Sequence, residues 1–344
     1  MIDTIKIYAN ISKEIYDKIH SKSIVKNALN CETGELLYNI INDQLEGSYS
    51  SHISVRPNTS SKYRLTETGY VCEIEGSYHK FILGYNSHNG FYDLQYICSE
   101  LIKYANIKYD IELPSIENWY LQRCDIAICF DLNNQNNVCN YINNLSCCNY
   151  ARRKVKFYSN EALYLSGTTT TLKIYNKLLE FRKHDLKKFV NTDFDIIKHL
   201  KDISGYIRFE CEIKKKMLVK VYNENHIKVI NVNYEDLKKV WSDEFMKLLK
   251  FIRNDLEIVK NRNEVYNRLK EYYSNSKAIN LYNFYLMCCT DGVDNVKKRV
   301  CKSVYYDRIK SLKQLNIDLS QKYDLVEYDN NIVDFNPFTY QEVV

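Results

Sequence analysis

The chain has 344 residues, which is enough for one large domain or two smaller ones. Hydrophobic residues make up 45% of it, which excludes a disordered chain, and no apolar run approaches the roughly 18 residues that a membrane-spanning helix needs. The formal net charge of +5 is compatible with nucleic-acid binding, but it is too small to indicate such binding without local clusters of charge.

The twelve cysteines include no CxxC pair, and several fall in strand-like patterns where cysteine behaves as a small apolar residue. No secretory signal is recognisable at the N-terminus. We therefore expect a reduced, cytoplasmic protein without a disulfide framework.

The spacing of apolar residues changes along the chain, from mixed patterns to purely helical ones after about residue 233. Strands are predicted over residues 1–9, 63–65, 70–75, 121–132, 154–158, 162–165, 169–178 and 206–213. Helices are predicted over residues 91–104, 138–145, 234–258, 261–273, 278–289, 294–300 and 302–315. We therefore predict an α+β domain over residues 1–225, followed by a helical domain over residues 226–344.

Three of the predicted strands each carry two acidic residues at even separations, which places both side chains on one face of a regular strand. If these strands are neighbours, their carboxylates can converge into a site for Mg²⁺ or Mn²⁺. Acidic residues are equally common on the solvent face of a half-exposed strand, so each pair alone indicates little. The pairs are Glu73 and Glu75, Asp125 and Asp131, and Glu210 and Glu212.

Tyr175 lies in the predicted strand over residues 169–178, with Lys173 and Lys177 two positions away on the same face. Nearby positive charge favours the phenolate and makes it a better nucleophile toward phosphorus, and the same lysines could neutralise a scissile phosphate. Because the chain has 31 tyrosines, a tyrosine beside lysines is also expected by coincidence.

His88 lies in the polar turn GYNSHNG, between the Glu73–Glu75 strand and the predicted helix that starts at residue 91. A histidine in this position can be a metal ligand, a phosphate contact or an ordinary turn residue.

Two basic segments are candidate DNA contacts. Arg152, Arg153, Lys154 and Lys156 precede the Tyr175 hairpin, where they could hold the phosphate backbone or form the solvated start of a strand. Residues 294–315 have the spacing of a helix-turn-helix or of a plain helical cap on the core, and Ser303 is a candidate N-cap. The candidate DNA contacts of its second helix are Lys302, Ser303, Tyr305, Tyr306 and Arg308.

Four stretches in this order resemble one known family. They are GYNSHNGFYDL at residues 84–94, QRCDIAICF at 122–130, TLKIYNKLLE at 171–180 and GYIRFECEIK at 205–214. The chain resembles the replication-initiation endonucleases of filamentous bacteriophages, of the gene II/X type, and more distantly the Rep proteins of Gram-positive rolling-circle plasmids.

This resemblance implies an HUH-related nicking domain with a central antiparallel sheet, a divalent metal and a tyrosine that becomes linked to the 5′-phosphate at the nick. It implies Tyr175 as the nucleophile and, as metal-binding acids, Asp125, Glu210 and either Glu73 or Glu75. The chain has no His-hydrophobic-His triplet, which leaves the ligand set open.

The function implied is nicking of one strand at a phage or plasmid origin, which starts rolling-circle replication and later reseals the displaced strand. Single- and double-stranded origin DNA, a host helicase and a polymerase are the implied partners; no membrane and no small-molecule cofactor are expected. Three alternatives stay open: a non-catalytic origin-binding regulator, a nuclease that activates water, and a mobilisation relaxase.

Overall fold

We describe the fold from a computed structural model of the chain. The structure describes residues 1–59, 69–145, 153–256, 262–291, 293–315, 317 and 335–338. The strand predicted at residues 63–65 and the candidate DNA contact Arg152 lie outside these ranges.

The described strands form one large antiparallel sheet in the order β2-β3-β4-β5-β1-β6-β10-β9-β8-β7, and β11 pairs with β6. The strands are β1 (Ile2–Ile11), β2 (Ile24–Leu29), β3 (Leu36–Glu46), β4 (His52–Thr59), β5 (Tyr70–Ser77), β6 (Trp119–Asp131), β7 (Lys154–Tyr158), β8 (Ala162–Ser166), β9 (Thr170–Asn176), β10 (Tyr206–Lys214) and β11 (Ile227–Lys228).

Helices connect the strands in the first two-thirds of the described chain and make up nearly all of the last third. They are α1 (Lys13–Lys22), α2 (Tyr78–Leu83), α3 (Leu94–Tyr109), α4 (Gln135–Asn144), α5 (Lys177–His184), α6 (Leu186–Phe189), α7 (Ile196–Asp202), α8 (Lys215–Tyr222), α9 (Tyr234–Leu256), α10 (Arg262–Tyr272), α11 (Asn275–Asp291), α12 (Val293–Arg299) and α13 (Lys302–Gln314).

One face of the central strands is apolar and forms the main core. Ile126 of β6, Ile174 of β9 and Phe209 of β10 are completely buried on it. The first half of α9 covers this face: Trp241 Nε1 donates to the Phe209 carbonyl at 3.0 Å, and the Phe245 ring packs against Phe209. Burial of each such side chain stabilises the fold by roughly 1.5–3 kcal/mol. Packing against α9 therefore determines that this face of the sheet lies in the core and that the opposite face does not.

The opposite face of the same strands carries charged side chains and Tyr175, because polar residues occupy the alternate positions. Cross-strand pairing sets its pattern: Arg208 lies opposite Tyr175, Glu210 opposite Lys173, and Glu212 opposite Asp125. We call this the polar face. Its members include Lys6, Arg56, Glu73, Glu75, Arg123, Asp125, Lys173, Tyr175, Arg208, Glu210 and Glu212.

The mixed α and β architecture, the large antiparallel sheet and the helical C-terminal region are confirmed. One strand ends earlier than predicted: β9 stops at Asn176, whose side chain accepts from the Leu179 backbone N–H and caps α5. Strands β2 to β4 were not predicted. The HUH-related and helix-turn-helix interpretations stay predictions.

The chain divides into two compact units, the first from residues 1–143, 152–245 and 333–344 and the second from residues 144–151 and 246–332. The second unit has its own core, in which Leu269, Phe284 and Leu312 are completely buried. A domain boundary at residue 225 stays a prediction. Within the described part of the chain, no helix combines the length and the apolar character needed to cross a membrane.

Candidate functional site

Tyr175 lies near the end of β9 on the polar face, and only 6% of it is exposed. Its hydroxyl donates to Glu210 Oε2 at 2.9 Å and accepts from Asn86 Nδ2 at 3.3 Å. Burial raises the pKa of Tyr175 well above its ordinary value, and the neighbouring Arg208 opposes this effect. The resting side chain is therefore a neutral phenol whose proton already points at a carboxylate.

The loop between α2 and α3 covers Tyr175. It begins at Gly84, whose φ of +84° is a conformation that glycine adopts without strain. The Asn86 N–H donates to Asp185 Oδ2 at 3.4 Å, which ties the loop to the end of α5. Near its end, Gly90 lies so close to His79 and Met1 that a Cβ atom would clash with both. These contacts hold the loop in place over Tyr175.

Arg208 is completely buried beside Tyr175, on the neighbouring strand β10. Its Nη1 donates to the Ser87 carbonyl in the covering loop at 2.7 Å. Nη2 lies 3.3 Å from Asp3 Oδ2, and Nε lies 3.8 Å from Glu210 Oε2. Neither Nε nor Nη2 has a hydrogen-bond partner among the described residues. The site therefore holds a buried cation, two of whose nitrogens face carboxylates without a hydrogen bond to them.

Asp3 of β1 balances the charge of Arg208 from the other side. Burial opposes its ionisation, but the Arg208 guanidinium and His79 hold the pKa of Asp3 well below its ordinary value. His79 Nε2 lies 3.3 Å from Asp3 Oδ1, and Ser77 Oγ donates to the same oxygen at 3.1 Å. Burial lowers the pKa of His79, so this imidazole is favoured in its neutral form.

Lys173 Nζ lies among three carboxylates of the polar face. It is 2.6 Å from Glu210 Oε1, 3.7 Å from Asp125 Oδ2 and 3.9 Å from Glu212 Oε2. Asp125 is also bound by Arg123, with N–O distances of 2.8 and 2.6 Å. Burial raises the pKa of Asp125 to about 7, although both cations act against the shift.

Glu73 and Glu75 form a separate group on the polar face. Glu73 is completely buried, 2.7 Å from Lys6 and 3.0 Å from Arg56. Glu75 lies 3.1 Å from Lys6 and 2.9 Å from Arg56. Arg123 links the two groups, because its Nη1 is 3.4 Å from Glu75 while its Nη2 binds Asp125.

The donor set as arranged does not fit a divalent metal ion. Mg²⁺ needs near-octahedral oxygen ligands at roughly 2.0–2.1 Å, but these carboxylates converge on lysine and arginine side chains instead. An ion at the position where Asp125, Glu210 and Glu212 meet would first have to displace Lys173. Among the described residues, no group of three His, Cys, Asp or Glu side chains is arranged to hold a metal. The requirement for Mg²⁺ or Mn²⁺ stays a prediction.

Lys177 occupies a different position from the one that the strand pattern predicted. It is the first residue of α5, it is buried, and its Nζ donates to Glu180 Oε2 at 2.8 Å. Lys173 is likewise bound to Glu210. Burial has the largest effect on the pKa of Tyr175 and raises it, and the expectation that both lysines favour the phenolate stays a prediction.

His88 lies in the covering loop, with its ring packed edge-on against Tyr206 at a centroid distance of 5.2 Å. Burial lowers its pKa, and Lys177 lowers it further. Its Nδ1 is buried without a hydrogen-bond partner among the described residues. Tyr206 is the first residue of β10, two positions before Arg208, so His88 belongs to the Tyr175 surroundings rather than to the Glu73–Glu75 group.

The predicted basic run before β7 divides into inward and outward side chains. Arg153 is largely buried, where it donates to the Thr170 carbonyl at 2.9 Å and binds Glu244. Its guanidinium is thus used within the fold and does not face DNA. Lys154 and Lys156 are exposed on β7. Tyr158, two positions further, is 44% exposed.

The candidate DNA contacts of the C-terminal helix also differ in their exposure. Tyr305 is buried in the core of the second unit against Phe284, which removes it from a DNA-contacting surface. Arg308 lies over the Phe284 ring at 5.4 Å. Tyr306 is 55% exposed. Lys302 and Ser303 are exposed too, but α13 begins after Cys301, so the prediction that Ser303 is the N-cap is wrong.

Arg208, Asn86 and Asp3 were not predicted as site residues. Arg208 and Glu210 both belong to the stretch YIRFECEIK, and their i,i+2 spacing was a signal that the arginine shares the face of the acid. Asn86 was part of the recognised polar turn. Nothing in the local pattern marks Asp3, because only the pairing of β1 in the sheet brings it near β10.

Comparison with known proteins gives a family. The sequence profile of the Phage CRI family, described as the N-terminal part of a replication-associated protein, matches residues 1–237. That range holds the whole sheet, the covering loop and Tyr175. No curated protein matches the chain. The chain belongs to this family of phage replication-associated proteins.

Proposed function

We propose that this protein is a replication initiator that nicks one strand of phage or plasmid origin DNA with Tyr175. The observation that carries the proposal is the hydrogen bond from the Tyr175 hydroxyl to Glu210 at 2.9 Å, beside the buried guanidinium of Arg208. A nucleophile needs a base within hydrogen-bond reach, and Glu210 meets this requirement.

The reaction is a transesterification. Glu210 takes the phenolic proton as the Tyr175 oxygen attacks the scissile phosphorus. The bond from phosphorus to the 3′-oxygen breaks, and that oxygen takes a proton and becomes the primer hydroxyl. The 5′-phosphate stays on Tyr175, so the energy of the phosphodiester is retained. Attack by a later 3′-hydroxyl on the phosphotyrosine reverses these steps and reseals the displaced strand.

The low exposure of Tyr175 requires a change before DNA reaches it. The contacts that hold the covering loop here are the bond from Asn86 to Tyr175 and the bond from Arg208 to the Ser87 carbonyl. The first of these bonds ends on the hydroxyl that the reaction uses. Origin DNA that engages Tyr175 therefore competes directly with Asn86 for that hydroxyl.

A path for single-stranded DNA is available on β7. Lys154 and Lys156 are exposed at alternate positions and offer charge to phosphates, while the exposed ring of Tyr158 can stack on a base. Cross-strand pairing places Lys156 opposite Tyr164, and Tyr164 opposite Lys173. This row leads along the polar face towards Tyr175. Binding of double-stranded origin DNA, a host helicase and a polymerase belongs to the same proposal.

The first test is formation of a covalent adduct. Purified protein is incubated with labelled single-stranded DNA from the native replicon, with Mn²⁺, with Mg²⁺ or with EDTA, and run on denaturing gels. We expect a labelled adduct that partitions into phenol and that is lost in Tyr175→Phe. Tyr164→Phe, one strand away on the same face, is the matched control and should still form the adduct.

Each alternative gives a different result. Cleavage without an adduct, unaffected by Tyr175→Phe, would indicate a nuclease that activates water. DNA binding with neither cleavage nor adduct would indicate a regulator. An adduct formed only on a transfer origin, and not on replication-origin DNA, would indicate a relaxase. The comparison of Mn²⁺, Mg²⁺ and EDTA tests the predicted metal requirement separately.

A further inference from the structure

Arg208 combines two properties that seldom occur together. It is completely buried, yet Nε and Nη2 lack hydrogen-bond partners among the described residues. A buried charged group left in this way costs several kcal/mol, so structural arginines normally use all of their donors. Arg153 in the same unit illustrates the usual case, since Leu165, Thr170 and Glu244 take up its guanidinium.

The two unused nitrogens form one edge of the guanidinium. Nε–H and Nη2–H point in parallel, and this edge is the fork that binds two oxygens of a phosphate. The third nitrogen, Nη1, donates to the Ser87 carbonyl at 2.7 Å and fixes the plane of the group. Asp3 Oδ2 and Glu210 Oε2 lie 3.3 and 3.8 Å from the edge and balance its charge without hydrogen bonds. Cys129, opposite Arg208 on β6, interacts with the guanidinium through its sulfur, which is only a weak hydrogen-bond acceptor.

The edge lies beside the nucleophile. Arg208 and Tyr175 are direct cross-strand neighbours, whose side chains share the polar face. Glu210 is within reach of both, at 2.9 Å from the Tyr175 hydroxyl and 3.8 Å from Arg208 Nε. When Glu210 takes the phenolic proton, its negative charge disappears, and Asp3 is then the one charged carboxylate of this pair that still faces the Arg208 edge.

We propose that Arg208 binds the two non-bridging oxygens of the scissile phosphate through Nε and Nη2. This inference rests on the proposed function and assigns the substrate contact at the same site. The guanidinium orients the phosphorus towards the Tyr175 oxygen and stabilises the charge that gathers on the phosphate oxygens during attack. The substrate group is the phosphodiester of a single DNA strand.

The test couples a protein variant to a change in the DNA. Once the nick is mapped, the scissile phosphate is replaced by a methylphosphonate, which lacks one charged oxygen, and each stereoisomer is used separately. A methylphosphonate placed several nucleotides away serves as the control. Adduct formation is timed for the wild-type protein and for Arg208→Lys, which keeps the charge but loses the fork. DNA affinity and thermal unfolding are measured alongside.

We expect Arg208→Lys to slow adduct formation on ordinary DNA by about 100-fold, in the range found when one stabilising donor is removed. Both stereoisomers should slow the wild-type protein by about 10-fold or more, because each loses one of the two bonds. When ordinary DNA is replaced by either methylphosphonate isomer, the rate of adduct formation should fall much less for Arg208→Lys than for the wild-type protein. The control position should affect neither protein.

Three outcomes would overturn the inference. The first is a rate of adduct formation for Arg208→Lys within about threefold of the wild-type rate, and the second is a wild-type rate that neither methylphosphonate isomer changes. The third is a rate loss for Arg208→Lys on methylphosphonate DNA that equals the product of the two separate losses. The second needs no variant, so it decides the question even if Arg208→Lys fails to fold. Failure of the proposed function looks different, since no adduct dependent on Tyr175 would form in the first place.

Discussion

The two ends of the polar face carry the same residue types, but their charged side chains differ in how fully they are paired. At the Glu73–Glu75 end, Lys6, Arg56 and the two acids make four ion pairs between 2.7 and 3.1 Å. At the Tyr175 end, Arg208 keeps two donors without a hydrogen bond, and Asn86 Oδ1 is buried without a partner among the described residues.

The difference separates structural charge from reactive charge. Matched ion pairs hold neighbouring strands together and leave nothing for a ligand. A buried cation whose donors lack hydrogen bonds, beside a hydroxyl that donates to a carboxylate, costs stability and marks a candidate site for a ligand. The acids that the sequence grouped together as metal ligands therefore fall into two classes.

The largest expected effect concerns Glu210. Glu210→Gln keeps the shape of the side chain but cannot take the Tyr175 proton, so we expect adduct formation to fall by roughly 100- to 10,000-fold, the usual value of a general base. The measurement is single-turnover adduct formation at saturating DNA.

Glu212→Gln is the matched control for this prediction. It removes a carboxylate from the same strand face, 3.9 Å from Lys173, without touching Tyr175. We expect a much smaller loss of rate. Equal losses in the two variants would contradict the role of Glu210 as proton acceptor and would point to a shared effect on Lys173.

The opposite end of the polar face should respond in stability rather than in chemistry. Glu73→Gln leaves Lys6 and Arg56 with one acid between them in a buried setting, which we expect to lower the free energy of unfolding by about 3 kcal/mol. Urea unfolding followed by circular dichroism measures this change. The adduct rate well below the unfolding transition should stay near that of wild type, and a collapse of that rate would erase the contrast between the two ends.

The smallest expected effect is a pH dependence beneath the covering loop. His199 packs against Tyr85 and Phe181, and burial lowers its pKa to about 4. Because the folded-state pKa lies below the unfolded value of about 6.5, His199 contributes stability above about pH 6.5 that is lost as the pH falls towards 4.

His199→Phe removes this titration while it keeps an aromatic ring in the cluster. Lowering the pH from about 7 to about 4.5 should therefore lower the thermal unfolding midpoint of the wild-type protein more than that of the variant. Parallel decreases in the two proteins would show that His199 does not carry the linkage. Titrating groups that do not interact with His199 affect both proteins alike and cancel in this comparison, whereas His88 and Asp202 interact with it.

The sequence by itself determined most strands of the central sheet and the order of an α+β region followed by a helical region. Strand β10 was found because apolar and polar residues alternate along it, β5 and β6 because they alternate over part of their length, and the helices after residue 233 because their apolar spacing is long and regular. The motif order also placed Tyr175, Asp125 and Glu210 in one family pattern. Strands β2 to β4 were missed; β4 alternates between buried and more exposed positions, but it also carries Pro57, a residue that argues against a strand in a sequence.

Only the tertiary structure decided which charges act together, because side-chain contacts on a sheet depend on strand order and register rather than on distance along the chain. Insertion of β1 between β5 and β6 brings Asp3 and Lys6 into the polar face and separates Glu73 from Asp125. Pairing of β9 with β10 sets Arg208 beside Tyr175. Burial then decided the protonation state of Tyr175, since the cost of a charge away from water raises its pKa well above the ordinary value.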